Sequence, residues 1–139
     1  MKLRAYQNDD WQALIDLWQR VFPDDPPHND PSQVISAKRA VDDLIFVALE
    51  EDSIVGAVMA GYDGHRGWLY AVAVDHPHRR HGIARRLVAH ALDALRQLGC
   101  IKVNLQIRSD NAQVVAFYES LGFCVEERIS MGLHLHRSA

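Results

Sequence analysis

The 139-residue sequence is short of cysteine, of long apolar runs and of excess positive charge. Its two cysteines, Cys100 and Cys124, are too few and too isolated for a disulfide framework or a zinc cluster, and both are expected as buried, reduced thiols. The longest apolar stretches, such as Ala71 to Val74, fall far short of the roughly 18 residues a membrane span needs. No membrane partner is therefore expected. Met1 to Trp11 lacks the apolar stretch of a secretory signal, which leaves the cytoplasm as the expected location. Fifteen Lys and Arg against 18 Asp and Glu give a net charge of −3, no overall footprint for nucleic acid. Also missing are a Gly-x-Gly-x-x-Gly fingerprint and a Gly-Lys-Ser/Thr phosphate loop. No linker, repeat or low-complexity tract divides the chain, so residues 1–139 are expected to form one domain, large enough to bury a core unaided.

What is present is a change of hydrophobic period along the chain. Lys2 to Tyr6 is a short strand. Asp9 and Asp10 open a helix on which Trp11, Leu14, Ile15, Trp18, Val21 and Phe22 make one apolar face, with Gln12 completing a capping box on Asp9. Phe22 to Pro31 holds four of the five prolines and must be a loop. A second helix runs from Ser32 to Asp43. Three antiparallel strands follow, Leu44 to Glu50, Ile54 to Tyr62 and Trp68 to Val74, joined by turns at Glu51–Ser53 and Asp63–Gly67. A helix from Gly82 ends at Gly99, a strand covers Ile101 to Ile107, and a helix from Asp110–Asn111 points Val114, Phe117 and Leu121 inward before Gly122. Phe123 to Glu127 and Ile129 to Leu135 alternate as a final strand pair, whose edge leaves a homodimer open. The order is βααβββαβαββ, an α/β arrangement with helices on the faces of a mixed, mostly antiparallel sheet.

The informative junction is Val72 to Ala84, where a strand enters a short loop and the loop enters a helix. Helix N-termini present unpaired N–H groups and a partial positive charge, which suit a phosphate. Gly82 and Ala84 allow close approach, and Arg79, Arg80, Arg85 and Arg86 surround the point in an otherwise acidic chain. His76, His78 and His81 lack acid or cysteine partners at ligand spacing, so no metal is expected.

Arg79-x-x-Gly82-x-Ala84 after a strand resembles the R/Q-x-x-G-x-G/A motif of the GCN5-related N-acetyltransferase (GNAT) superfamily. Ala116 to Phe123, with Asn111 upstream, resembles that superfamily's second signature, and Ser53 to Gly56 matches the hairpin before its third strand. Gly61 to Gly67 is similar to a small bacterial YpeA-like branch. The likeness spans essentially the whole chain. It departs from the usual pattern where Arg80 and His81 replace smaller residues and where Pro77 lies one position late.

The resemblance implies a single-domain GNAT fold whose sheet is splayed at the cofactor site, and acetyl-CoA as acetyl donor. It implies that the backbone of Val72, Ala73 and Val74 meets the pantetheine arm and the tetrahedral oxyanion, and that Arg79, Arg80, His81, Gly82, Ile83 and Ala84 hold the pyrophosphate. Asn111 would contact the arm, and Tyr118 would protonate the departing thiolate. The acceptor is a primary amine, on a small molecule, a protein N-terminus or a lysine. The base is open among Glu50, Asp63, His65 and a water relay, since the Trp68–Val74 strand carries no acid. The other class of function consistent with these residues is a cofactor-binding sensor or interaction module without turnover.

Overall fold

The computed structural model describes residues 1–135, in two compact units, Met1–Gln106 and the segment from Ile107 onward. In the first unit the elements are β1 (Lys2–Ala5), α1 (Trp11–Val21), α2 (Pro31–Arg39), β2 (Ile45–Glu50), β3 (Ser53–Tyr62), β4 (Gly67–Val74), α3 (Ile83–Gln97) and β5 (Val103–Asn104). The strands form one sheet in the order β1-β2-β3-β4-β5, antiparallel except for β4 and β5, which run parallel across the α3 crossover. The second unit contains α4 (Ala112–Ser120). The α/β class, the mixed sheet and the order of its first nine elements agree with the sequence reading.

Both faces of the sheet are covered, which is why all of Ile45 to Leu49 is buried rather than alternate residues. On one face Leu14, Leu17 and Trp18 of α1 and Ile35 of α2 join Tyr6, Ile45, Val47, Leu49, Ala57 and Ala73 in a single apolar cluster. Burying a leucine such as Leu14 or Leu17 contributes about 1.5–3 kcal/mol. On the other face α3 buries Ile83, Leu87, Val88, Ala91 and Leu95. A Cβ at Gly56 would lie 3.0 Å from Leu87 Cδ1 and 3.2 Å from Ile83 Cγ2, so glycine there lets the start of α3 seat on β3. The turn between β2 and β3 puts Glu51 and Asp52 at φ 49° and 65°, the left-handed pair that matches strand twist.

Several expectations are corrected. The capping box joins Gln7 and Asp10, not Asp9 and Gln12: Asp10 Oδ2 accepts from Gln7 N–H at 2.8 Å, and Arg4 donates to both of its carboxylate oxygens. The second helix stops at Arg39, where Asp42 and Asp43 turn back to bind Lys38 and Arg39. The Ile101–Ile107 strand shrinks to Val103–Asn104, because only Gly67 and Trp68 of β4 pair with it. In α4 the buried residue is Tyr118 rather than Phe117 or Leu121. Phe123 to Glu127 and Ile129 to Leu135 form no strand among the described residues. Their apolar alternation is real, but Ile129, Met131, Leu133 and Leu135 are exposed. Alternation chooses a face and supplies no partner for the backbone hydrogen bonds. Cys100 is buried, whereas Cys124 is exposed.

Candidate active site at the end of the fourth strand

β4 departs from regular pairing twice. Met59 pairs with Tyr70 and Ala57 with Ala73, so Ala71 and Val72 together oppose Val58 in a bulge, with Ala71 at φ 50°. On its other edge β4 pairs with β5 only at Gly67 and Trp68, and from Leu69 to Val74 no strand lies beside it among the described residues. This is the splay expected at Val72 to Val74, and an open strand edge offers backbone donors and acceptors to an extended ligand. Sequence reasoning located the edge but missed the bulge, which leaves no periodicity signal of its own.

Beyond Val74 the chain folds back on itself. Asp75 N–H donates to Val55 O at 2.8 Å, its Oδ1 accepts His76 N–H, and its carbonyl accepts His78 N–H. His76–His78 form one 3₁₀ turn. Arg79 Nε then donates to Val74 O at 3.0 Å, so this side chain fastens the loop to the strand it left. The Val74 carbonyl is therefore already used within the chain. Arg80 and Gly82 both adopt the left-handed region, at φ 67° and 76°. A non-glycine residue there is strained, and such strain persists only where the surroundings fix it.

The first hydrogen bond of α3 runs from Arg86 N–H to Gly82 O, so the amides of Ile83 and Ala84 precede it. No side chain caps this N-terminus and no acid lies in its first turn. By contrast Asp30 caps α2 and Asn111 caps α4. A Cβ built on Gly82 would meet nothing within 4 Å, so there is open space at Gly82, and Arg79, Arg80, His81, Arg85 and Arg86 are exposed. Such a site suits a phosphate group. Among the described residues no cluster of three His, Cys, Asp or Glu could hold a metal ion.

Asp63 is tied up locally. Its Oδ1 accepts both His65 and Arg66 N–H at 2.7 Å, and these bonds hold its carboxyl below the ordinary range. That makes it a poor proton acceptor. Glu50 lies at the β2–β3 turn and His65 is exposed. Trp68 and Tyr70, stacked at 6.4 Å on one face of β4, were not singled out from sequence.

In the second unit, Asn111 Oδ1 accepts Val114 N–H at 3.3 Å as the cap of α4. Tyr118 is buried, with Phe117 and Phe123 packed edge-on at 5.0 and 5.5 Å. Burial pushes its phenol up to about 12, so it stays protonated throughout the neutral range.

Known proteins resemble the chain throughout. The Acetyltransferase (GNAT) family profile matches residues 11–123. An acetyltransferase of Pectobacterium atrosepticum is 40% identical over 136 residues, covering 97% of this chain and 96% of that protein. The Escherichia coli ribosomal-protein-S18-alanine N-acetyltransferase superposes with a TM-score of 0.77 at 23% identity, over 87% of this chain and 76% of the other. An aminoglycoside N-acetyltransferase crystallised with CoA gives 0.78 at 18%, over 96% and 93%. At these identities the two structures speak for the fold alone.

Proposed function

Because the chain belongs to the GNAT acetyltransferase family, we propose that it moves the acetyl group of acetyl-CoA to a primary amine, acting in the cytoplasm as one domain over residues 1–139. The observation that carries this reading is the uncapped, arginine-ringed N-terminus of α3 standing at the end of an open β4 edge. The amides of residues 80–84 hold the donor's diphosphate, Val72 and Val74 meet its arm, and Asn111 adds a contact through its carboxamide N–H. The residues fit this donor: the space over Gly82 is open, and no carboxylate in the helix's first turn opposes a phosphate.

The acceptor nitrogen attacks as a neutral amine, forming the new C–N bond and a tetrahedral oxyanion, whose collapse breaks the C–S bond and releases the thiolate. A lysine must first lose a proton at a cost of about 4.6 kcal/mol at pH 7, an α-amino group at about 1.1 kcal/mol. Proton removal falls to Glu50, His65 or a water relay, Asp63 being disfavoured by its bound amides. Tyr118, neutral and buried, gives its proton to the leaving thiolate. Backbone N–H at Val72 or Ala73 steadies the oxyanion, a contribution often worth a few kcal/mol. The relatives named above act on an S18 alanine and on aminoglycosides, both amine acceptors.

The test is to follow free-thiol release from acetyl-CoA in the presence of N-terminal peptides, lysine peptides, spermidine and an aminoglycoside. Thiol release with an acetylated amine found by mass spectrometry supports transfer. Donor binding without release for any amine overturns it in favour of a binding module.

A further inference from the structure

We propose that Arg20 and Asp75 are positioning residues for the donor: their ion pair, formed across 55 residues of sequence, fixes the loop that presents the amides of residues 80–84. The inference rests on the reading of that loop as the donor site. Arg20 lies at the end of α1 and meets Asp75 fork to fork, Nε to Oδ1 at 3.2 Å and Nη2 to Oδ2 at 3.0 Å. Asp75 is the first residue past β4, and three of its groups shape the turn: N–H to Val55 O, carbonyl to His78 N–H and Oδ1 to His76 N–H. A guanidinium that fixes both carboxylate oxygens therefore fixes the turn from which the rest of the loop departs. Five residues later Arg80 is held at a left-handed φ that its side chain disfavours. A strained residue of this kind needs an anchored loop around it.

The pair is half-exposed on the arginine side, and surface pairs of this type add little to global stability. Its effect belongs to local geometry. Because α1 packs against β3 and β4, Arg20 ties the loop to the main core and not merely to its own strand.

The experiment measures CoA affinity by calorimetry, and kcat and KM for acetyl-CoA, in the unaltered chain and in Arg20→Gln, Arg20→Lys, Asp75→Asn and the double variant Arg20→Gln/Asp75→Asn. Arg20→Gln is expected to weaken CoA binding and raise the acetyl-CoA KM about tenfold, with kcat at saturation within about twofold and a melting shift under about 3 °C. Arg20→Lys, which keeps the charge and loses the fork, falls between. The double variant is expected to be no weaker than the worse single one, since the pair is already broken. CoA affinity within twofold of the unaltered chain in Arg20→Gln, fully additive losses, or weakened binding that merely tracks a lost melting temperature each overturn the proposal. Failure of the unaltered chain to bind CoA is a separate result and refutes the donor site itself.

Discussion

At the scale of single residues, Tyr118 and Asp10 show the same burial physics put to different ends. The Tyr118 phenol is surrounded by aromatic edges and has only burial acting on it, so its neutral form is favoured. A thiol leaves tolerably well unaided, so the acid's contribution lies toward the low end of the usual range. Tyr118→Phe is expected to lower kcat about a hundredfold while leaving CoA affinity unchanged, as read by steady-state kinetics and calorimetry. A drop below tenfold removes the proton-donor role. Asp10 is a buried carboxylate, and Arg4 with Gln7 N–H holds it below the ordinary range. With its folded pKa depressed, its stabilisation is complete above the ordinary carboxylate pKa of about 4 and is lost as pH falls through the lower folded value. Denaturant melts between about pH 5 and about pH 2, where carboxylates titrate, are expected to show that loss, and Asp10→Asn to flatten it. The sequence placed the cap on Asp9 with Gln12, not on Asp10. Its partner Arg4, six residues upstream, became visible only in three dimensions.

At the scale of elements, glycine placement decides where α3 sits. Gly56 lies under the helix start, with Leu87, Ile83 and the Ala73 carbonyl all 3.0–3.2 Å from any added Cβ. Gly56→Val is expected to destabilise the fold by about 1–3 kcal/mol through overpacking, read as a lower melting temperature. An unchanged melt contradicts the packing described. The helices α1 and α3 were legible because each buries one face at helical spacing, and β2 to β4 because runs of β-formers stand between turn residues. The bulge at Ala71–Val72, the short β5 and the missing pairing of Ile129 to Leu135 were not. Each depends on which backbone groups find partners, and side-chain pattern does not specify that. The same limit hid Arg20, whose spacing on α1 marks only a solvent-facing position.

At the scale of the whole molecule, the donor should act as a native-state ligand. The family, the open β4 edge and the helix start at Gly82 converge on one claim, that a diphosphate-bearing thioester is held by backbone amides there. The motif Arg79-x-x-Gly82-x-Ala84 marked the start of α3 in advance, while the anchoring of Arg79 to Val74 O and the strain at Arg80 were not legible. The most direct measurement is a pair of calorimetric titrations of the intact chain, one with CoA and one with pantetheine, which has the arm and thiol without the nucleotide diphosphate. CoA is expected to bind at least about a hundredfold more tightly, a difference of about 2.7 kcal/mol. Equal affinity for the two, or no heat from CoA, would contradict a diphosphate site at the start of α3.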